Sequence, residues 1–240
     1  MATPKPHILM IVSNPATSPV TGWPIGFWWA ELTHAYKVFE EAGYAITIAS
    51  PKGGPLQADG YSDPEDPSGY SAEDTISLTF KQPPDKMALL QETPALSSLK
   101  TSDFDAVFVV GGQGPMVTMV NDVDTQNVFA GFYESGKPSA AVCHGTAILL
   151  KTKLSNGDLL VTDKRWTGFA NSEEEYAESA VGQKIQPFWI ETEAKQIANT
   201  EFVVAGPMEE FAVRDGNLIT GQQQMSAAAA AARVVEALSS

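Results

Sequence analysis

Short apolar runs of strand length alternate with longer amphipathic segments along most of the chain. The first run, residues 7–12, is apolar at nearly every position, which is typical of a strand buried on both faces of a parallel sheet. A helix is predicted over residues 27–41, because Gly43 follows as a suitable C-terminal cap, and a second strand over residues 44–49. A strand, a helix and a strand in this order form the unit from which parallel sheets are built.

The same alternation continues to the end of the chain. Further strands are predicted over residues 104–110, 139–142, 159–162, 201–205 and 217–220, and further helices over residues 124–134, 146–150 and 226–238. The pair Asp215-Gly216 favours a tight turn, so a short hairpin is expected there. We therefore predict one α/β domain over residues 1–240, with a doubly wound, mostly parallel sheet between layers of helices.

Residues 51–85 break this alternation. They are rich in Pro, Gly, Asp and Ser and show little periodicity. An irregular segment of this length inside a compact domain is more often a lid or part of a site than a linker. We expect it to form a long loop at the functional site.

Composition narrows the classes of function. The chain has 240 residues, of which 29 are acidic and 15 basic, so its net charge is −14 with histidine neutral. Such a charge disfavours binding to nucleic acid or to anionic lipid. No apolar segment approaches the ~20 residues that span a bilayer, and the early apolar run is too short for a signal peptide. We predict a protein of the cytoplasm that binds neither nucleic acid nor membrane.

The single cysteine, Cys143, is the strongest candidate for chemistry. It excludes an intramolecular disulfide and a Cys-rich metal site, and no metal is expected. Cys143, His144 and Gly145 directly follow the strand predicted over residues 139–142, which is typical of a sharp turn that exposes a nucleophile. A following helix N-terminus would lower the thiol pKa below its free value of ~8.5. The alternative is a buried cysteine that only fills space.

Two other features lie near predicted strand ends, where sites form in doubly wound sheets. Gly112, Gln113 and Gly114 follow the strand over residues 104–110 and lack the pattern of a phosphate loop, so their backbone N–H groups are interpreted as an oxyanion hole. An ordinary glycine-rich turn is the alternative. Glu31, near the start of the first helix, would reach Cys143 across the strand ends, unless it is an exposed acid of the first helical turn.

Five motifs, in order, resemble those of the ThiJ/PfpI superfamily, and in particular its heat-shock-protein-31-like branch, which includes glyoxalase III. They are residues 26–31 (GFWWAE), 49–54 (ASPKGG), 140–145 (AAVCHG), 166–175 (WTGFANSEEE) and 215–221 (DGNLITG). The similarity runs from about residue 7 to residue 235. It implies a flavodoxin-like α/β sandwich with a nucleophile elbow at Cys143, and a homodimer is common in this group.

The resemblance also implies the site residues and the reaction. The residues are the nucleophile Cys143, the adjacent His144, a buried Glu31 that hydrogen-bonds the thiolate, and an acid at Glu174, with Glu173 and Glu175 as alternatives. A carboxylate oxygen of Glu174 is expected within ~2.6–3.2 Å of a His144 ring nitrogen, and the other two glutamates in solvent. The implied reaction converts methylglyoxal to lactate without a cofactor, through addition of the thiolate to the aldehyde.

The chain departs from the branch at the substrate pocket. Gln113 replaces a histidine in the glycine-rich loop, residues 222–226 (QQQMS) replace a segment that contains Asn-Pro, and Met208 stands where tryptophan is common. An amide at position 113 keeps a hydrogen-bond donor, but unlike an imidazole it does not take up and release a proton. These differences affect the identity of the substrate more than the identity of the nucleophile.

Three functions follow from these residues. The first is a cysteine enzyme of the glyoxalase III type, a lyase that acts on a small reactive aldehyde and protects against stress. The second is an amidase or peptidase, because acyl transfer uses the same thiolate, base and oxyanion hole. The third is a holdase chaperone or redox sensor, in which Cys143 is oxidised rather than catalytic. A His144–Glu174 pair would favour catalysis.

Overall fold

Ten strands and eight α-helices are present in the computed structural model of the chain, which describes residues 5–239; residues 1–4 and 240 of the predicted domain lie outside the described residues. The strands are β1 (His7–Ile11), β2 (Ala16–Thr17), β3 (Pro24–Ile25), β4 (Ala45–Ala49), β5 (Ala106–Val109), β6 (Ser139–Val142), β7 (Arg165–Trp166), β8 (Glu201–Phe202), β9 (Ala212–Asp215) and β10 (Leu218–Gly221). The helices are α1 (Trp29–Glu41), α2 (Thr75–Lys81), α3 (Pro84–Ala88), α4 (Pro115–Thr118), α5 (Val123–Glu134), α6 (Asn171–Val181), α7 (Ile190–Ala194) and α8 (Ala227–Leu238). Short 3-10 helices lie at Gly60–Ser62, Leu96–Ser98, Thr101–Asp103, Cys143–Leu150 and Gln224–Ser226.

Six strands form one sheet in the order β4-β1-β5-β6-β10-β9. Neighbouring strands pair in parallel except β9 and β10, which form the predicted hairpin. Ile11 lies beside Val109, Val109 beside Ala141, and Val142 beside Gly221. The carboxyl ends of β1, β5, β6 and β10 therefore meet at one edge, where ligand sites form in such sheets.

The interior of the protein is built from the apolar runs and the helices that cover them. β5, β6 and β10 are buried at every position, which confirms that these strands are covered on both faces. α1 and α8 pack on each other, and α8 also contacts β6 and β10. The small buried side chains of α8, among them Ala227, Ala230 and Ala231, allow this close approach. The mostly parallel sheet flanked by helices is the predicted α/β architecture.

Two predicted strands differ from the structure. Leu159 forms only an isolated bridge with Lys153, and residues 160–162 form a turn. The buried Leu160 and Val161 owe their apolar character to the core rather than to a sheet. Only the first two residues of the segment 201–205 are a strand, β8, which pairs in parallel with β7 outside the main sheet. Apolar runs of this length signal burial, and burial alone does not distinguish a strand from a packed turn.

Two predicted helices begin at least two residues away from their predicted starts. The first helix begins at Trp29 rather than residue 27, because Phe27 is held in extended pairing: its N–H donates to the carbonyl of Gln57, and its carbonyl accepts from Asp59. The segment predicted as a helix over residues 146–150 is a 3-10 helix that begins at Cys143 itself. The cap at Gly43 is confirmed, with φ +78°.

The segment over residues 51–85 is more regular than its composition indicates. It holds the 3-10 helix Gly60–Ser62 and α2, which is capped by Asp74 through a hydrogen bond from the backbone N–H of Ser77. Asp59 and Tyr70, from the same segment, reach the carboxyl edge of the sheet. Among residues 5–239, no helix has the length and apolar character that crossing a bilayer requires.

Candidate active site

Cys143 lies directly after β6, where the chain turns sharply into a 3-10 helix. Its φ is +56°, in the left-handed region that an L residue rarely adopts, so the backbone is strained at the thiol. Gly145 permits the turn, because a Cβ at that position would lie 2.9 Å from the carbonyl oxygen of Val109. This is the predicted nucleophile elbow.

His144 lies between the thiol and a carboxylate. Its Nδ1 is 3.5 Å from Sγ of Cys143, and its Nε2 is 2.9 Å from Oε1 of Glu174. A carboxylate only accepts hydrogen bonds, so Nε2 donates and a neutral imidazole leaves Nδ1 free to accept the thiol proton. The ring also stacks on Phe169, with centroids 4.2 Å apart. The hydrogen bond predicted between Glu174 and His144 is present.

The two glutamates next to Glu174 differ in their exposure to solvent. Glu175 is exposed, as expected, but the expectation that Glu173 lies in solvent is wrong, since its side chain is fully buried. Its carboxyl accepts hydrogen bonds from the backbone N–H of Met208 at 3.1 Å and from Nε2 of Gln222 at 2.9 Å. Glu173 thus ties the start of α6 to two segments from the C-terminal part of the chain, which a local acidic pattern does not reveal.

Glu31 lies in the first turn of α1 and is fully buried, so it is not an exposed helix-start acid. Its two carboxyl oxygens have no partner in hydrogen-bonding geometry among the described residues. Gly111 provides the space that it needs: a Cβ there would clash with the Glu31 carboxyl and lie 2.9 Å from Cβ of Cys143. The glycine therefore allows the carboxyl and the thiol to approach each other.

Burial sets the protonation of this pair. It raises the pKa of Glu31 from 4.5 to about 8, an effect that the adjacent Cys143 and the Gly111 amide partly offset, so the carboxyl is protonated at neutral pH. Burial, and then the Glu31 carboxylate, raise the pKa of the Cys143 thiol, while the His144 backbone N–H lowers it. The expectation of a lowered thiol pKa is wrong in direction, because desolvation outweighs the amide at the turn. When Glu31 is protonated it carries no negative charge, so it no longer destabilises the Cys143 thiolate electrostatically.

The glycine-rich loop after β5 does not offer the three amides expected of it. The backbone N–H of Gln113 donates to Oδ2 of Asp59 at 2.7 Å, and that of Gly114 donates to the carbonyl of Gly26 at 2.7 Å. These two amides are therefore engaged away from the thiol. Gly112 has φ +97°, and a Cβ at this position would lie 2.5 Å from the backbone nitrogen of Trp28. It is the member of the loop whose N–H donates to no acceptor among the described residues.

Asp59 holds this loop and is the residue that sequence reasoning missed. It is buried and also accepts the backbone N–H of Gly26 at 2.9 Å. Burial raises its pKa from 3.8 to about 7, although the two amides that it accepts lower it. Its neighbours Asp63, Glu65 and Asp66 have the same kind of side chain, so no local signal distinguishes it.

A cavity of about 390 Å³ opens outward from Cys143 and His144. Its inner end is lined by Glu31, Gln113 and Glu174. All three pocket positions where the chain departs from the branch it resembles contribute to the lining, since Met208 and Gln224 line the cavity together with Gln113. In the part of the chain that the structure describes, no cluster of three or more His, Cys, Asp or Glu side chains has the arrangement of a metal site.

Comparisons with known proteins agree with the motifs. The sequence profile of the DJ-1/PfpI family matches residues 26–237. Glyoxalase 3 of Candida albicans is 28% identical over 234 residues, which cover 96% of this chain and 97% of that protein. The glutathione-independent glyoxalase HSP31 of Saccharomyces cerevisiae is 26% identical over 247 residues, 98% of each chain. The crystal structure of glyoxalase III from Candida albicans matches with a TM-score of 0.81 at 25% identity, over 97% of both chains.

Proposed function

Since this chain belongs to the DJ-1/PfpI family, we propose that it is a cofactor-independent glyoxalase that converts a 2-oxoaldehyde to a 2-hydroxy acid. Methylglyoxal and lactate are the simplest such pair, and Cys143 is the nucleophile. One observation carries the proposal: a buried carboxyl that keeps its proton at neutral pH, Glu31, and a carboxylate-bound imidazole, His144, both face the same thiol.

The reaction begins with transfer of the thiol proton to His144. The Cys143 thiolate adds to the aldehyde carbon, and the aldehyde oxygen takes a proton, which gives a hemithioacetal. Loss of the hydrogen on that carbon as a proton, with protonation of the ketone oxygen, gives an enediol. Return of a proton to the former ketone carbon, with loss of the hydroxyl proton from the sulfur-bearing carbon, gives a thioester of the 2-hydroxy acid. The aldehyde carbon is oxidised and the ketone carbon reduced, so no external oxidant is needed. Water cleaves the thioester and restores the thiol.

The two acid–base groups divide the proton transfers. Glu174 stabilises the imidazolium that forms when His144 accepts the thiol proton. Protonated Glu31 donates its proton to the aldehyde oxygen. As a carboxylate it then removes the proton from the former aldehyde carbon and delivers it to the former ketone carbon. Its raised pKa keeps the proton available for the donation, and the resulting carboxylate is the base for the abstraction.

The other functions considered have less support. An amidase or peptidase needs an oxyanion hole that faces the thiol, and the amides of Gln113 and Gly114 are bound to other acceptors. A redox sensor or holdase chaperone uses the Glu31–Cys143 pair but has no need for the His144–Glu174 hydrogen bond.

An assay of lactate tests the proposal directly. Purified protein is incubated with methylglyoxal in the absence of glutathione and metal, and lactate is measured beside the Cys143→Ala variant. We expect steady lactate formation by the wild type and none by the variant. Lactate formation by neither protein, or equally by both, would overturn the proposal, and cleavage of a peptide amide by the wild type would favour a hydrolase.

A further inference from the structure

The cavity is larger than a reaction with methylglyoxal requires. Its volume, about 390 Å³, lies within the ~300–1,000 Å³ of sites that bury drug-sized ligands. Methylglyoxal carries only a methyl group beside its two carbonyls, which occupy the inner end near Cys143. The outer part of the cavity is left for a larger substituent.

One side of that outer part is a continuous aromatic wall. The ring of Trp28 meets Tyr70 edge-on at 6.0 Å, Tyr70 meets Tyr61 at 6.5 Å, and Tyr61 meets Trp23 at 6.0 Å. Tyr61 and Tyr70 are 41% and 51% exposed. Aromatic side chains that stay in contact with water around a cavity mark a surface that binds apolar groups.

Another part of the lining is a stretch of α6 with small side chains. Ala177, Ala180 and Val181 line the cavity there, with Tyr176 at the rim, 56% exposed. Burial, and then the nearby Tyr176, raise the pKa of Tyr70. The cavity is thus a slot lined by aromatic rings and by the two alanines of α6.

The lining also has no positive charge. None of the described residues around the cavity is a lysine or arginine, and its ionisable groups other than tyrosines are Glu31, Cys143, His144 and Glu174 at the inner end. With a net charge of −14 for the whole chain, a substrate that carries a carboxylate or phosphate finds neither a partner nor a favourable field. The site therefore favours neutral molecules.

From this slot we infer that the substrate is a neutral 2-oxoaldehyde that carries an aryl or other bulky apolar substituent on its ketone carbon. The inference rests on the proposed glyoxalase activity and adds the substrate class. The aldehyde lies at Cys143, and the substituent extends outward between Trp28 and Tyr70 on one side and Ala177 and Ala180 on the other.

Paired substrates test this class. We expect kcat/KM for phenylglyoxal, measured as mandelate formation, to exceed that for methylglyoxal by at least about tenfold, because an apolar pocket gains at least this factor from small apolar additions. Equal values, or a preference for methylglyoxal, would overturn the inference even if both substrates turn over.

A matched pair of variants on α6 locates the preference. Ala177→Leu fills the outer slot and should lower kcat/KM for phenylglyoxal at least about ten times more than that for methylglyoxal. Ser179→Leu makes a similar change on the exposed side of the same helix, outside the cavity lining, and should alter neither value. An equal fall in kcat/KM for both substrates in Ala177→Leu, or the same selective fall in Ser179→Leu, would contradict the assigned position of the substituent.

A binding measurement separates this inference from the proposed function. Tryptophan fluorescence of the Cys143→Ala variant reports binding of 1-phenyl-1,2-propanedione and of 2,3-butanedione, which lack the aldehyde hydrogen. We expect the aromatic diketone to bind at least about tenfold more tightly, and Ala177→Leu to remove the difference. If neither aldehyde is turned over but this preference is found, only the glyoxalase activity fails. Equal binding of the two diketones would overturn the substrate class.

Discussion

The side chains of Cys143, His144 and Glu31 lie close enough to exchange protons. Where the thiol proton and the carboxyl proton reside decides whether the Cys143 sulfur can attack. Burial raises the pKa of both Glu31 and Cys143, so the pair carries little charge at neutral pH. His144, bound to Glu174, lies on the other side of the thiol, at 3.5 Å, and can take the thiol proton. Changes of one atom at these side chains therefore have large and specific effects.

Glu31→Gln tests the proton carrier. The amide keeps a hydrogen-bond donor toward the thiolate but cannot accept a proton from carbon, so we expect turnover to fall at least about 100-fold. Because the variant lacks the carboxylate that raises the thiol pKa, the pH midpoint of Cys143 alkylation should move to a lower value. Wild-type turnover in this variant would assign the proton transfer to His144 instead, and an unchanged alkylation midpoint would contradict the electrostatic coupling.

Glu174→Gln tests the negative charge beside His144, with Glu175→Gln as its control. The amide oxygen of the variant can still accept the hydrogen bond from Nε2 of His144, but a neutral amide no longer stabilises an imidazolium, so kcat/KM should fall about 100-fold. Glu175 is exposed one residue further along the same helix, and its substitution should leave kcat/KM within about twofold. Comparable losses in both variants would show that the helix, rather than the imidazole contact, is responsible.

At the scale of elements, α6 supplies two adjacent glutamates with different tasks. Glu174 points at His144, whereas Glu173 accepts hydrogen bonds from Gln222, just after β10, and from the backbone of Met208. Met208 has φ +60° and lines the cavity, so its strained backbone relies on such a contact. The start of α6 thus holds both His144 and the cavity lining at Met208.

Glu173→Ala should loosen this junction. The substitution leaves the part-buried N–H of Met208 and the buried side-chain amide of Gln222 without an acceptor, at a cost of about 2–4 kcal/mol in the free energy of unfolding measured in urea. It should also raise KM more than it lowers kcat, because the wall at Met208 is released while the thiol and His144 remain in place. Glu175→Ala is the exposed control, with a change within about 0.5 kcal/mol. A stability loss without any change in KM would limit Glu173 to a structural role.

At the scale of the whole molecule, buried acids and an excess of negative charge make stability depend on pH. The pKa of Glu31 is raised to about 8 and that of Asp59 to about 7 in the folded protein. Between their ordinary values and these raised ones, the folded chain keeps protons that the unfolded chain releases. The free energy of unfolding therefore falls as pH rises through this range, and the net charge of −14 acts in the same direction.

This dependence is measurable against a variant that cannot titrate at position 31. We expect the stability of Glu31→Gln relative to wild type to increase by about 1.4 kcal/mol per pH unit above pH 4.5 and to level off near pH 8, where Glu31 ionises in the folded state. Urea denaturation of both proteins from pH 5 to pH 9 gives this difference. A difference that is constant across the range would contradict the raised pKa.

The sequence by itself determined the parallel sheet, the elbow at Cys143 and the family. Buried parallel strands show as apolar runs, and the elbow shows as a cysteine between a strand and a glycine, so both signals lie within a few neighbouring residues. The pairing of His144 with an acid in the segment 173–175 was also accessible, through motif similarity. The catalytic roles, a cytoplasmic location and a homodimer stay predictions.

Only the tertiary structure decided which glutamate meets His144, where the loop amides point and which way the thiol pKa moves. Glu173 is buried by partners 35 and 49 residues away, and the amide of Gln113 is taken by Asp59, 54 residues away. Partners this distant along the chain leave no signal in local sequence patterns. The pKa of Cys143 likewise follows from the desolvation of a thiol and a carboxyl brought together by α1 and β6, because the energy of a charge depends on everything packed around it.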